Sequence, residues 1–414
     1  MDGREYVLTC SKLIKNEVLR ELEGRIDVTD EQVLELIDEK IKVKSRKVAL
    51  SLNDKLYLRK DIFNAMRRLD VLQELIDDDT ITEIMVNGLN SIFIERDGAL
   101  IDTKRCFESK ERLLDIIQQI VAGANRTVNV ANPIVDARLE DGSRVNVVLD
   151  PVAVNGPILT IRRFPKIPIN DSKLIEMGSV NEEVLLFLKL LVEAKYNILI
   201  SGGTGAGKTT FLNVLSGYIP CCERIITIED SAELIIQGID NLVSLEARNK
   251  NIEGCKGITI RDLIKTALRM RPDRIIVGEV RGQESIDMLQ AMNVGQDGSM
   301  STIHSNSSKD ALSRLETMMM LHTDIPLGAL RRQIVSGIDI IVQLGRLRDN
   351  SRKLLEIREV KGMENGEIKT SLLYKYEESG YKNNKIYGAL KRVNRIENRE
   401  KLIRAGIDNE LFKV

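Results

Sequence analysis

A chain of 414 residues is long enough for two or three well-buried domains, and 43% apolar with 30% charged residues is an ordinary globular balance. With 61 Lys and Arg against 62 Asp and Glu, the formal charge of −1 excludes a surface given over to nucleic acid, so no direct nucleic-acid contact is expected. The longest apolar run, 184–192, contains Lys189 and is too short to cross a bilayer, no basic leader with an apolar segment opens the chain, and the 5 cysteines lack C-x-x-C spacing. The expectations are a cytoplasmic protein with no transmembrane segment, reduced thiols and no zinc site.

Residues 1–69 read as a charged helical extension. Thr29-Asp30-Glu31-Gln32 has the form of a capping box, and Val33, Leu34, Leu36, Ile37 and Ile41 then share one face. That face packs either on its own domain or on a partner. Over residues 70–164 the pattern becomes α+β. Residues 81–86 and 91–94 alternate as strands before an Asp97-Gly98 turn, and Leu113, Leu114, Ile116, Ile117, Ile120 and Val121 mark an amphipathic helix. A hairpin turns at Asp141-Gly142, and 157–161 closes the unit.

Pro165 and Pro168 place a linker at 165–172. Residues 173–414 alternate helices with short strands at 197–200, 224–228, 274–278, 299–303 and 338–343, which predicts an α/β domain on a largely parallel sheet. A hairpin over 353–375 turns at Glu364-Asn365-Gly366, and the basic tail 391–404 reads as a solvated helix. There is no internal repeat.

The most informative stretch runs from Ser201 to Thr210. Gly202-Gly203-Thr204-Gly205-Ala206-Gly207-Lys208-Thr209 is a complete G-x-x-x-x-G-K-[ST] phosphate loop between an apolar strand and a helix. Glycines let backbone N–H groups crowd a β-phosphate at the positive end of the helix. Lys208 reaches the β- and γ-phosphates, the Thr209 hydroxyl can ligate Mg²⁺, and Thr210 completes the cradle. The chain is expected to bind a nucleoside triphosphate with Mg²⁺.

Three other strand ends carry polar groups, and strand ends beside such a loop are where ligand chemistry belongs. Residues 225–228 run into Glu229-Asp230, with Glu233 beyond; the pair either activates water and places Mg²⁺ or caps a helix. Residues 274–278 end at Glu279, an apolar strand with an acidic end in which Gly278-Glu279 stands where many phosphate-loop proteins have Asp. The third strand ends at His304, one of only 2 histidines, which either stabilises a γ-phosphate or is structural. His322 has no such surroundings and reads as structural.

Together these stretches resemble the secretion ATPases of type II and type IV systems. They look like its Walker A (Gly202 to Thr210), Asp box (Thr227 to Leu234), Walker B (Arg269 to Gly282) and His box (Gly295 to His304). The first domain resembles the branch serving Tad/Flp-type pili, often called CpaF, in Thr82-Glu83-Ile84-Met85-Val86-Asn87-Gly88, Ile94-Glu95-Arg96-Asp97-Gly98, Asp141-Gly142-Ser143-Arg144 and Thr160-Ile161-Arg162-Arg163-Phe164. The resemblance spans residues 70–345. It implies a RecA-like ATPase domain, a ring of six, and coupling to an integral inner-membrane platform protein that keeps the motor peripheral to the membrane. It also implies Glu229 as general base, Glu279 acting on Mg²⁺ and water, His304 at the γ-phosphate, and arginines of the first domain completing the site. Arg144, Arg162 and Arg163 are the candidates by position; the other reading of Arg162-Arg163 is a solvated basic strand end. The four-cysteine zinc subdomain of several type II members is lacking, which fits Tad-like or conjugation-like branches. Beside the pilus-assembly motor stand a conjugation-type channel ATPase, a nucleotide-gated adaptor with little turnover, and a phosphotransferase for which no acceptor pocket is marked.

Overall fold

The computed structural model describes residues 3–25, 27–96, 98–139, 141–164, 169–248 and 256–407. Asp97 of the expected turn and residues 165–168 of the expected linker lie outside them. The chain divides into two compact units, Met1–Lys166 and Ile167–Val414.

The first unit opens with α1 (Gly3–Leu22), α2 (Asp30–Ser45) and α3 (Leu52–Arg67). The Thr29 capping box forms: Gln32 N donates to Thr29 Oγ1 at 3.3 Å, and Thr29 N to Gln32 Oε1 at 3.0 Å. Val33, Leu36, Ile37 and Ile41 are buried against Ile14, Val18, Leu58 and Ile62, so this helical face packs on its own neighbours. After the short α4 (Gln73–Asp77) come β1 (Ile81–Asn87), β2 (Ile92–Arg96) and β3 (Ala99–Asp102). They are followed by α5 (Lys110–Gly123), β4 (Ile134–Arg138), β5 (Arg144–Val148) and β6 (Ile158–Arg162). The strands form an antiparallel six-stranded sheet in the order β3-β2-β1-β6-β5-β4. Alternation puts Ile84, Val86, Val145, Val147, Leu159 and Ile161 on the face that buries the apolar stripe of α5.

The second unit begins with α6 (Asp171–Glu176), which starts inside the expected linker, capped by Asn170 Oδ1 accepting from Lys173 N at 2.9 Å. Then follow α7 (Glu182–Glu193), β7 (Ile198–Gly202), α8 (Lys208–Ser216), β8 (Arg224–Glu229), β9 (Asn241–Glu246) and α9 (Ile260–Ala267). Next are β10 (Arg274–Val280), α10 (Glu284–Asn293), β11 (Met300–His304), α11 (Ser308–Met320), α12 (Leu327–Gly337) and β12 (Ile340–Arg346). The chain ends in β13 (Arg352–Glu364), β14 (Glu367–Lys382), β15 (Lys385–Arg392) and α13 (Glu400–Arg404). One nine-stranded sheet runs β15-β14-β13-β12-β7-β11-β10-β8-β9. Its pairings from β12 through β9 are parallel, and β13 to β15 extend it as antiparallel hairpins. Helices α7 and α8 cover one face, and α9 to α12 the other, so the central strands are buried on both sides. This is a RecA-like α/β domain.

The expected turn at 364–366 is present: Glu364 pairs with Glu367, and Asn365 and Gly366 take φ of +51° and +82°. The tail corrects the expectation. Residues 385–392 are strand, helix is confined to Glu400–Arg404, and Ile396 and Leu402 are buried in the core beneath α7 and α8. Lys391, Arg395 and Arg404 are exposed or partly so, while Lys401 turns inward to Asp339 and a few apolar side chains anchor the segment, a spacing too sparse to register as a buried face.

Candidate functional site

β7 delivers the phosphate loop at its carboxyl end, and every residue of the strand is buried. A Cβ on Gly202 would meet Leu344 O at 2.8 Å, so no side chain fits at the start of the loop. Gly207 has φ +90° and caps α8, a backbone state that glycine adopts without strain. The first-turn N–H groups of α8, from Lys208, Thr209 and Thr210, thereby open the helix next to Gly203, Thr204, Gly205 and Ala206.

Lys208 is only 8% exposed. Its Nζ donates to Gly203 O at 3.1 Å and to His304 Nδ1 at 3.1 Å. β11 lies beside β7 with His304 in register with Gly202. The other ring nitrogen, Nε2, stands 2.8 Å from Glu279 Oε1, and Arg281 Nη2 donates to Glu279 Oε2 at 2.7 Å. An ammonium can only donate, so Nδ1 accepts and the imidazole is neutral with its proton on Nε2. Burial, then the Lys208 charge, pushes the His304 pKa below its usual value, while Glu279 pulls the other way. Arg281 is held above its usual value by its bond to Glu279.

Glu279 Oε1 is buried and, despite its closeness to the imidazole, accepts no well-aligned hydrogen bond. A carboxylate oxygen left over in this way, with a threonine hydroxyl in the first turn of α8, is a donor set that suits a hard divalent cation. Thr209 and Glu279 thus fit Mg²⁺.

Glu229 ends β8, the strand next to β10, and is 4% exposed. Its Oε1 accepts from Glu233 N at 2.8 Å and Leu234 N at 3.1 Å, so the carboxylate is turned into the loop that follows it. Asn213 Oδ1 on α8 accepts from Ile235 N at 2.9 Å and ties this loop to the phosphate-loop helix. Residues 231–240 are irregular, so Asp230 has no helix to cap.

Lys208, His304, Glu279 and Arg281 are therefore brought together, and Glu229 lies one strand further on. Arg144, Arg162 and Arg163 belong to the first unit. There Arg144 is in register with Arg162 on β6 and with Arg138 on β4, a row of three guanidinium groups on one face. Arg138 escaped the sequence reading because only strand register reveals it. Arg163 instead donates to Asp78 O at 2.7 Å and to Asp79 Oδ1 at 3.1 Å, bracing the entry to β1. Sequence reasoning also missed Arg281, whose role depends on where Glu279 points.

The sequence model of the family described as "Type II/IV secretion system protein" matches residues 66–397. Conjugal transfer protein TrbB of Rhizobium radiobacter is 31% identical over 317 residues, covering 75% of this chain and 94% of that one. Type IV secretion system protein PtlH of Bordetella pertussis is 32% identical over 302 residues, covering 67% and 89%. The ATPase DotB of Legionella pneumophila superposes with a TM-score of 0.50 at 21% identity, over 70% of this chain and 79% of that one, which shows a shared fold. These relatives are conjugal-transfer and type IV secretion proteins, which supports the conjugation-type alternative better than the Tad/Flp expectation. The chain belongs to the type II/IV secretion system protein family.

Proposed function

We propose that this chain is an ATP-hydrolysing motor of a type IV secretion or conjugation-type apparatus. The observation that carries the reading is the line Lys208–His304–Glu279–Arg281 beside a complete phosphate loop, across the adjacent strands β7, β11 and β10. Lys208 binds the β- and γ-phosphates, and His304, released from its ammonium partner, faces the γ-phosphate. Glu279, steadied by Arg281, orients the attacking water and accepts its proton. Thr209 and Glu279 would hold Mg²⁺, which neutralises phosphate charge when bound. Glu229, expected as the base, is occupied by two backbone N–H groups, and its work is to hold the loop tied to α8.

Arg144 and Arg162 are the arginines we assign to the phosphates, in a ring of six. Coupling runs through a separate integral membrane platform at the inner face; no described helix is long and apolar enough to cross a membrane. The helical extension α1–α3, which lies almost wholly before the matched residues, favours the Tad/Flp pilus motor as the second reading.

Hydrolysis by the wild type, Lys208→Ala and Glu279→Gln tests the proposal. Glu279→Gln should keep nucleotide and lose turnover, and Lys208→Ala should lose affinity as well. Equal, near-zero rates in all three would leave a nucleotide-gated adaptor instead.

A further inference from the structure

Helices α2 and α3 form an antiparallel hairpin, tied along its length by Arg59 Nε to Asp38 Oδ1 at 2.8 Å and Arg67 Nε to Asp30 Oδ1 at 3.5 Å. Its tip lies at residues 46–51, and charge around the tip is one-sided. Residues 41–58 hold Lys42, Lys44, Arg46, Lys47 and Lys55 against one carboxylate, Asp54. Asp54 is committed to the α3 cap, accepting from Ser51 N at 2.9 Å and Ser51 Oγ at 2.6 Å. None of the five cations pairs with a carboxylate among the described residues. Lys42 and Lys44 suit the negative end of α2, but Lys55 stands in the first turn of α3, where a cation is unfavourable. Apolar side chains share this end of the hairpin. Leu52 and Leu56, one turn apart on α3, are 73% and 57% exposed, while Leu58 and Ile62 carry its buried face. The ion-pair register brings Val43 of α2, 45% exposed, level with the turn from Leu52 to Leu56.

We propose that this hairpin tip docks on an anionic lipid bilayer surface. Lys42, Lys44, Arg46 and Lys47 meet the headgroups, and Leu52, Leu56 and Val43 enter the boundary between headgroups and acyl chains. Reversible binding to such a surface takes both signals, attraction to anionic lipid and apolar area removed from water, and the tip presents both together. A protein partner fits less well, because the cores of protein interfaces are depleted in lysine. A nucleic-acid backbone would take the cations and leave the two leucines in water. The tip lies before residue 66, where the family match begins, so the contact belongs to the helical extension and is additional to coupling through a platform protein. It does not depend on nucleotide turnover.

The chain contains no tryptophan, so Leu52→Trp in the full chain is a single fluorescent reporter at the tip. Val154→Trp, at a site 91% exposed elsewhere in the first unit, is its control. Both should cosediment with vesicles containing phosphatidylserine about tenfold more tightly than with pure phosphatidylcholine, and high salt should release them. On the anionic vesicles the emission of Leu52→Trp should move to the blue while that of Val154→Trp stays at its aqueous wavelength. Combined Lys42→Gln, Lys44→Gln, Arg46→Gln and Lys47→Gln should remove the preference for anionic lipid, with helix content by circular dichroism kept. Equal binding to the two vesicles, retention of the preference by the glutamine variant, or a blue shift at Val154→Trp alone would overturn the proposal. Chain that ignores vesicles but binds poly-glutamate or a DNA duplex through the same four cations would overturn it in favour of an acidic protein or a nucleic acid.

Discussion

A Cβ placed on Gly278 would stand 2.8 Å from Cγ of Glu229 on the neighbouring strand. The absence of a side chain at the position before Glu279 is therefore what lets Glu229 cross toward its own loop. Gly278→Ala must displace Glu229 or strain β10, costing about 1–3 kcal/mol of stability. Because the shift lies beside Glu279, turnover should fall by roughly tenfold to a hundredfold with nucleotide affinity nearly kept. Steady-state hydrolysis and equilibrium binding on the same preparation decide this. An unchanged kcat would mean that Glu229 is free to move without consequence.

His304 should titrate below the usual histidine value of about 6.5. Removing the ammonium in Lys208→Ala should raise its midpoint, and Glu279→Gln should lower it, since Glu279 favours the imidazolium. The stability consequence has a definite sign. A histidine kept neutral in the fold binds fewer protons than in the unfolded chain, so its contribution is complete above the unfolded value and declines as the pH falls toward the folded one. Imidazole NMR can follow both histidines, with His304→Asn assigning the signal. A fall in Lys208→Ala together with a rise in Glu279→Gln would refute the Lys208–His304–Glu279 line.

What the sequence made legible was local. The Thr29 box, the Asn365-Gly366 turn and the phosphate loop each depend on a few neighbouring residues whose backbone states are restricted by type. The five strands expected in the second domain are present, because continuous apolar runs mark buried parallel strands. β9 was not foreseen: Asn241-Leu242-Val243-Ser244-Leu245-Glu246 is an edge strand that buries little. The row of Arg138, Arg144 and Arg162 requires strand register, and the turning of Glu229 under Gly278 requires knowing which strand lies beside which. Local pattern carries neither.

Arg274, the first residue of β10, is completely buried. Its Nε and Nη2 donate to the two Glu223 oxygens at 2.7 and 2.9 Å, and Nη1 to Val192 O at 2.7 Å. Burial raises the Glu223 carboxyl, but bonding to Arg274 outweighs it and holds the group below its usual range. Arg274→Ala leaves that carboxylate only the half-exposed Lys195 ammonium, 3.4 Å away, and should cost about 3 kcal/mol in urea unfolding. Arg274→Met with Glu223→Leu should recover most of the loss, because two apolar groups replace two charges together. A double variant no better than the single would show that the pair's geometry, not its charge balance, sustains this end of the sheet.

Lys401 in α13 closes the opposite edge of the same problem. Its Nζ donates to Asp339 Oδ2 at 2.7 Å, to Lys195 O at 3.1 Å and pairs with Asp297 at 2.7 Å. Burial pushes the Asp339 pKa up, and the Lys401 charge and hydrogen bond restrain that rise. Lys401→Ala should therefore cost about 1–3 kcal/mol at neutral pH, with Asn197 N still bonded to Asp339. The deficit has a pH signature. With the folded value raised above the unfolded one, the penalty of a charged Asp339 exists above the folded pKa and is relieved as the pH falls through it. Stability curves for wild type and Lys401→Ala should thus converge between neutrality and about pH 4. In an Asp339→Asn background the gap should be small and flat, because no charge remains to be stranded. A gap that stays constant in the native background would assign the loss to side-chain packing on Tyr196, whose ring centroid lies 5.9 Å from the Lys401 ammonium.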